Sequence, residues 1–181
     1  MIGAFPDNID NLFDEAKEKA ELLRRGLNKG VRLKDLFHMS GNRTNRKKEF
    51  FEMLDVEPNA TLYNAKRNNE LSGLYLFGTK QNGLVELEYL GISNTIARRL
   101  KQHGWGTGQN QSSLAYLMAK LAHDHRGFRK DICSDALEEA RMDIQELYVS
   151  VLPEKDAYKL YFYEVAIAGI LRTRWNNFKT H

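Results

Sequence analysis

The sequence predicts an α+β fold: a small mixed or antiparallel three-stranded sheet flanked by helices, with a helical N-terminal region ahead of it. Three observations carry that expectation. Ile9, Leu12, Phe13, Ala16, Ala20, Leu23 and Leu27 recur at three- and four-residue steps, the period of an amphipathic helix. At Ser72 the chain changes to two strand-like runs with Asn82-Gly83 between them, a step that favours hairpin turns. Beyond these runs the order is helix, helix, helix, strand, helix, which sets one further strand among covering helices.

The first helix is expected over about residues 8–27, capped by Asp7 or Asn8, with Gly30 just past its end. Residues 33–38 suggest a short helical turn closed by Ser40-Gly41. A basic amphipathic stretch, residues 42–48, leads into Phe50, Phe51, Met53 and Leu54. Pro58-Asn59-Ala60 marks a break, so residues 1–70 form the N-terminal region and residues 71–181 the main domain. In the latter, residues 73–77 are an apolar, aromatic strand, and residues 84–90 alternate apolar with acidic. Helices follow at about 94–102, 112–123 (capped by Ser112 or Ser113) and 131–142, the first broken by the glycine-rich run 104–108. Residues 145–152 alternate as a third strand that Pro153 stops, and residues 155–175 form a long closing helix.

Composition narrows the function classes. The chain has 181 residues, 42% of them apolar, enough for a hydrophobic core. The N-terminus turns acidic and polar before any apolar run develops, and no window holds the roughly 18 to 20 apolar residues of a membrane span. Cys133 is the single cysteine, which excludes a disulfide framework and a cysteine-based zinc site. A soluble, cytoplasmic protein is expected, with no membrane partner. The net charge of +3 is unevenly spread: residues 1–70 carry 13 basic and 12 acidic side chains, residues 71–130 carry 8 and 3, and residues 131–181 carry 6 and 9. The middle segment, which also holds His103, His123 and His125, is where a polyanion would dock, although a solvated lysine-rich face gives the same charge count.

Gly73-Leu74-Tyr75 and Tyr89-Leu90-Gly91 are two Gly/Tyr tripeptides on adjacent strands of one hairpin. Arg99 follows Gly91 by eight residues and His103 lies four further on, while Glu164 and Asn176 stand twelve apart on and after the last helix. In this order the residues resemble the GIY-YIG nuclease superfamily, over about residues 72–177, with Leu at the middle of each tripeptide. The resemblance implies that residues 71–181 are a catalytic domain hydrolysing phosphodiester bonds in double-stranded DNA. It also implies one Mg²⁺ held by Glu164, with Mn²⁺ as a substitute. The resemblance is nearest to a small standalone type II restriction endonuclease, acting as a homodimer on a palindromic site. A mobile-element or repair nuclease of the same family is the alternative, as is a catalytically silent nucleic-acid binder on this fold.

The residue types suit that chemistry in their own right. Arg99 and His103, four apart, share one helix face, and a guanidinium offers paired donors to phosphate oxygens. His103 either contacts phosphate or caps the helix end. Glu164 lies in an apolar helical run, where a carboxylate is costly unless paired, to Arg98 or Arg172, or bound to a metal. Magnesium needs no more than one protein carboxylate because it keeps most of its waters. In the family the two tyrosines position or deprotonate the attacking water; either could be the base here, with Tyr75 slightly preferred, and Arg99 and the metal must then favour phenolate character, unless both are strand aromatics whose hydroxyls orient Arg99 or the phosphate. Asn176, or Asn177 beside it, would hold the helix end by hydrogen bonds. Residues 43–48 and the loops between 104 and 130 would grip the duplex backbone.

Some features depart from the family pattern. Thirteen residues separate Tyr75 from Tyr89, so the hairpin is long, and its acids Glu86 and Glu88 should point outward. Residues 104–152 hold an extra helix, and with His181 following so soon after Asn176 a C-terminal DNA-binding extension of the homing-enzyme type is not expected. His123-Asp124-His125 lacks further ligands at zinc spacing. The 104–108 run follows a helix and lacks the lysine and serine of a phosphate loop, which argues against nucleotide hydrolysis.

Overall fold

Helix α1 (Ile9–Gly26) begins the computed structural model, which describes residues 9–62, 68–81, 83–108, 111–123 and 129–176. Its buried stripe is Leu12, Ala16, Ala20 and Leu23, drawn from the apolar set that the helical period picks out. Gly30, at φ +76°, ends the turn that follows. A single helical turn at Leu33–Leu36 leads into β1 (Phe37–Ser40) and β2 (Arg43–Arg46), an antiparallel hairpin reversed at Gly41, where φ is +57°. A short helix α2 (Phe50–Leu54) follows, and then β3 (Ala60–Thr61) and β4 (Asn68–Glu70) pair antiparallel. The expected N-terminal helix is present, and beside it stand two small strand pairs that the hydrophobic pattern does not signal. Only Phe37 and Thr44 are buried in the first pair, so no alternation marks it.

The main sheet starts with β5 (Gly73–Gln81) and β6 (Leu84–Ser93), longer than the apolar runs alone suggest, with Gly83 at φ +80° in their turn. Helices α3 (Ile96–Trp105), α4 (Ser113–Ala122) and α5 (Ser134–Glu146) precede β7 (Tyr148–Pro153), and α6 (Ala157–Leu171) closes the fold. All pairings are antiparallel, in the order β6-β5-β7. The central strand β5 is buried on both faces and its alternation sorts the layers. Leu74 and Leu76 enter a core with α1 and α6, whereas Tyr75 and Phe77 enter a core with α3, α4 and α5. Among the described residues no helix is long and apolar enough to cross a membrane.

Two details correct the sequence expectations. Helix α6 stops at Leu171, not at 175, because Arg172 turns left-handed at φ +52°. Residues 174–176 then run beside β6, with Arg174 N–H donating to the Leu87 carbonyl (3.0 Å) and Trp175 N–H to that of Glu88 (2.9 Å). Glu86 is exposed as expected, but Glu88 is 5% exposed and points inward. Its carboxylate accepts from the Trp175 indole (2.7 Å) and the Thr79 hydroxyl (3.2 Å), which replace the water it lost.

Candidate active site

The register of the hairpin sets Tyr75 opposite Gly91 and Phe77 opposite Tyr89. Tyr75 is 1% exposed and its phenol lies across β6, where a Cβ on Gly91 would collide with it. The glycine of the second tripeptide thus has a local cause: only hydrogen leaves room for the ring. The Tyr75 hydroxyl is hydrogen-bonded to His103 Nε2 (2.8 Å), and the Tyr89 ring stands 6.3 Å from that of Tyr75 and 5.7 Å from that of His103. These three rings make one wall.

Arg99 and His103 reach the wall from α3, and two contacts with other elements fix that helix. At its start, the buried Glu70 carboxylate accepts from the backbone N–H groups of Ala97 (2.7 Å) and Arg98 (3.2 Å), while Thr95 at the cap position makes no side-chain bond. At its end, the His103 carbonyl accepts from Ser112 Oγ (3.0 Å) and the Gly104 carbonyl from Gln145 Nε2 (2.9 Å). Arg99 is steered in addition by a bond from Nη1 to the Gln111 carbonyl (3.2 Å). Glu70 escaped the sequence reading, for its partners lie 27 and 28 residues away and leave no local trace.

Electrostatics at the wall are dominated by burial. Burial raises the Tyr75 pKa well above the ordinary phenol range, and Arg99 opposes this only in part. Tyr89, which keeps more of its surface exposed, is raised for the same reason, again against Arg99. The expectation that Arg99 favours phenolate is met in sign and outweighed in size, so both phenols rest neutral. His103 is driven down to about 3 by burial and then by Arg99, so its imidazole is neutral too. Its Nδ1 has no hydrogen-bond partner among the described residues. For Arg99 burial lowers the pKa, but the two tyrosines outweigh it and the group stays firmly cationic.

Glu164 comes from α6, which packs on the other face of the sheet, and its charge is felt by Tyr75, Tyr89 and Arg99. It lines a cleft of about 220 Å³ with Ile92, Ser93 and Asn94, where the edge strand runs on past the segment 174–176. Burial raises its pKa, and Arg99 pulls the other way. Among the described residues no ion pair joins it to Arg98 or Arg172, the structural alternative for this acid. Asn176 sits where the helix end meets the strand: its Oδ1 accepts from Leu90 N–H (2.7 Å) and Thr173 Oγ1 (2.8 Å), and its Nδ2 donates to the Leu90 carbonyl (2.8 Å). It is therefore a clip on the second tripeptide, a backbone-binding role. Asn177, Asp124 and His125 lie outside the described residues.

Five of the six candidate residues, Tyr75, Tyr89, Arg99, His103 and Glu164, thus act on one another, and Asn176 holds the strand beneath them. No group of three or more His, Cys, Asp or Glu side chains with metal-site geometry occurs among the described residues. A lone carboxylate, partly buried and without an ion pair among them, fits a single hard cation that retains its waters and does not fit zinc. Comparison of the chain with family models, curated proteins and solved structures gives no match.

Proposed function

We propose that the protein is a metal-dependent DNA endonuclease of the GIY-YIG type, most like a sequence-specific type II restriction enzyme that cuts a palindromic site as a homodimer. One observation carries the reading: a cationic guanidinium, two phenols and a partly buried carboxylate with no ion pair among the described residues influence one another's charge. A fold has little reason to hold such a set together, because Arg99 offsets the burial of the carboxylate only in part. A phosphodiester would fill the gap between the opposite charges.

Each side chain has a definable task. Arg99 binds the non-bridging phosphate oxygens and neutralises the charge that grows on them. Glu164 would hold one Mg²⁺, with Mn²⁺ as a substitute. Bound there, the ion would supply Lewis-acid neutralisation of the charge that develops in phosphodiester hydrolysis. Tyr89, the less buried phenol, orients the attacking water through its hydroxyl. Tyr75 is enclosed and committed to His103, so the pair positions the wall and Tyr75 no longer stands as the preferred base.

Supercoiled plasmid incubated with Mg²⁺ or with EDTA, beside Glu164→Ala, tests this. Discrete magnesium-dependent fragments, lost in the variant while duplex binding persists, are the expected result. A smear would retain the nuclease and remove the restriction assignment. Binding without cleavage of any DNA, by wild type and variant alike, would favour a silent binder on the same scaffold.

A further inference from the structure

We infer that the β1–β2 hairpin is the element that reads base sequence, inserted as a two-stranded ribbon into the major groove of duplex DNA. The inference rests on the DNA-directed reading above and adds where specificity resides. The register pairs His38 with Asn45 and Ser40 with Arg43. In an antiparallel pair directly opposed residues share a face, and residues two apart along a strand do too. His38, Ser40, Arg43 and Asn45 therefore form one face, and all four are exposed. The opposite face carries Phe37 and Thr44, which are buried, together with Arg46 and the exposed Met39. The Arg46 guanidinium lies over the rings of Phe50 (5.6 Å) and Phe51 (4.7 Å) and donates to the Asn69 carbonyl.

Three of the four side chains of the outward face, Ser40, Arg43 and Asn45, are of the types that discriminate base edges. Arginine pairs with the two guanine acceptors, asparagine with the adenine donor and acceptor, and serine is versatile. A ribbon of two strands fits the width of the major groove. Residues 37–48 hold four cations, Arg43, Arg46, Lys47 and Lys48, and no acid, which suits a polyanion. Elsewhere among the described residues of the N-terminal region several cations are neutralised in place: Arg32 and Lys34 by Glu146, Lys29 by Asp55, Arg24 and Arg25 by Glu21. No acidic partner engages Arg43 among the described residues.

The ribbon is also tied rigidly to the candidate active site. Phe37 packs on Trp105, the last residue of α3, with ring centroids 5.1 Å apart. Arg46 grips Asn69, the neighbour of the Glu70 that caps the same helix. The distance from the reading face to Arg99 is thereby set by packed elements, as a cut at a fixed offset from a motif requires.

Selection from duplexes with a randomised core, in EDTA so that no cutting occurs, tests the inference. Wild type should enrich a motif. Arg43→Ala and Asn45→Ala, solvent-facing changes that leave the melting temperature in place, should each relax preference at one or two base pairs, on the order of tenfold or more. Lys48→Ala should weaken all duplexes alike and lower the salt slope by about one. An unchanged motif in both ribbon variants, or no motif in wild type, would overturn it, as would preference for RNA in a parallel selection. The two readings fail separately. A ribbon-dependent motif without plasmid cleavage sinks the nuclease alone, and cleavage at a ribbon-independent motif sinks the ribbon alone.

Discussion

Glu164 follows the buried Tyr163 and precedes the buried Ile167 and Ala168, and its own burial raises its pKa against the smaller pull of Arg99. In the unfolded chain the group titrates near its ordinary value of 4.5, and in the fold it titrates higher. The ionised form is thus disfavoured by folding: the penalty is complete above the folded pKa and vanishes below the unfolded one. Glu164→Gln should therefore melt about 2–4 °C higher than wild type at neutral pH in EDTA, equivalent to roughly 1 kcal/mol, while cleavage is lost. The gap should close near about pH 4. A variant that melts lower than wild type at neutral pH would show instead that the carboxylate has a structural partner. Gly91 makes the complementary case, a residue fixed by space and not by charge. Gly91→Ala puts a methyl group into the Tyr75 phenol and should cost about 1–3 kcal/mol in urea titrations, with cutting impaired through displacement of Tyr75. Unchanged stability would mean that the ring can retreat.

Helix α3 carries both Arg99 and His103, yet its own cap residue, Thr95, contributes no side-chain bond. A carboxylate from β4 does so instead, and negative charge at a helix N-terminus is favourable in itself. Glu70→Gln keeps the shape but turns an amide NH₂ toward a backbone N–H, which should cost about 1–3 kcal/mol. If Glu70 sets the aim of Arg99, cleavage measured well below the melting point should fall roughly ten- to a hundredfold. A matching loss of stability with full cleavage would leave Glu70 a cap and nothing more. What the sequence disclosed at this scale follows from periodicity. Helix α1 and the β5–β6 hairpin were legible because their apolar residues repeat at 3.6 and 2, whereas Arg99 on α3 and Glu164 on α6 were picked out by their order after the tripeptides, as the resemblance orders them. The β1–β2 hairpin was not, since polar residues occupy nearly every position and Gly41-Asn42 was its one signal. The end of α6 was overrun because Ile167, Leu171 and Trp175 keep helical spacing past the left-handed Arg172. Glu70 and Glu88 are bound across long sequence separations, which no local pattern records.

For the whole molecule the relevant division is by sheet face. One face of β5 holds Tyr75, with Arg99 and His103 on the helix that covers it, and the other is closed jointly by α1 and by α6, the helix that carries Glu164. Leu12, Leu23 and Leu27 share a core with Leu74, Leu76, Leu160 and Ile167, so the first helix completes the layer behind the site although it lies before residue 70. Polar contacts secure the same seam: Glu15 accepts from Lys159 Nζ (2.9 Å) and from the Tyr163 hydroxyl. Burying three leucines contributes roughly 5–10 kcal/mol, comparable with the whole stability of an ordinary domain. A shortened chain of residues 31–181 keeps all six candidate site residues and the ribbon, but it uncovers that layer. It should be insoluble or lack a cooperative melt, and it should not cut plasmid. The ribbon variants, by contrast, should melt as wild type does. A shortened chain that melts cooperatively and cleaves would instead make α1 an appendage to a self-sufficient catalytic unit. The sheet would then have to be stable with Leu74, Leu76 and Leu160 open to water, which the packing of these residues against α1 argues against.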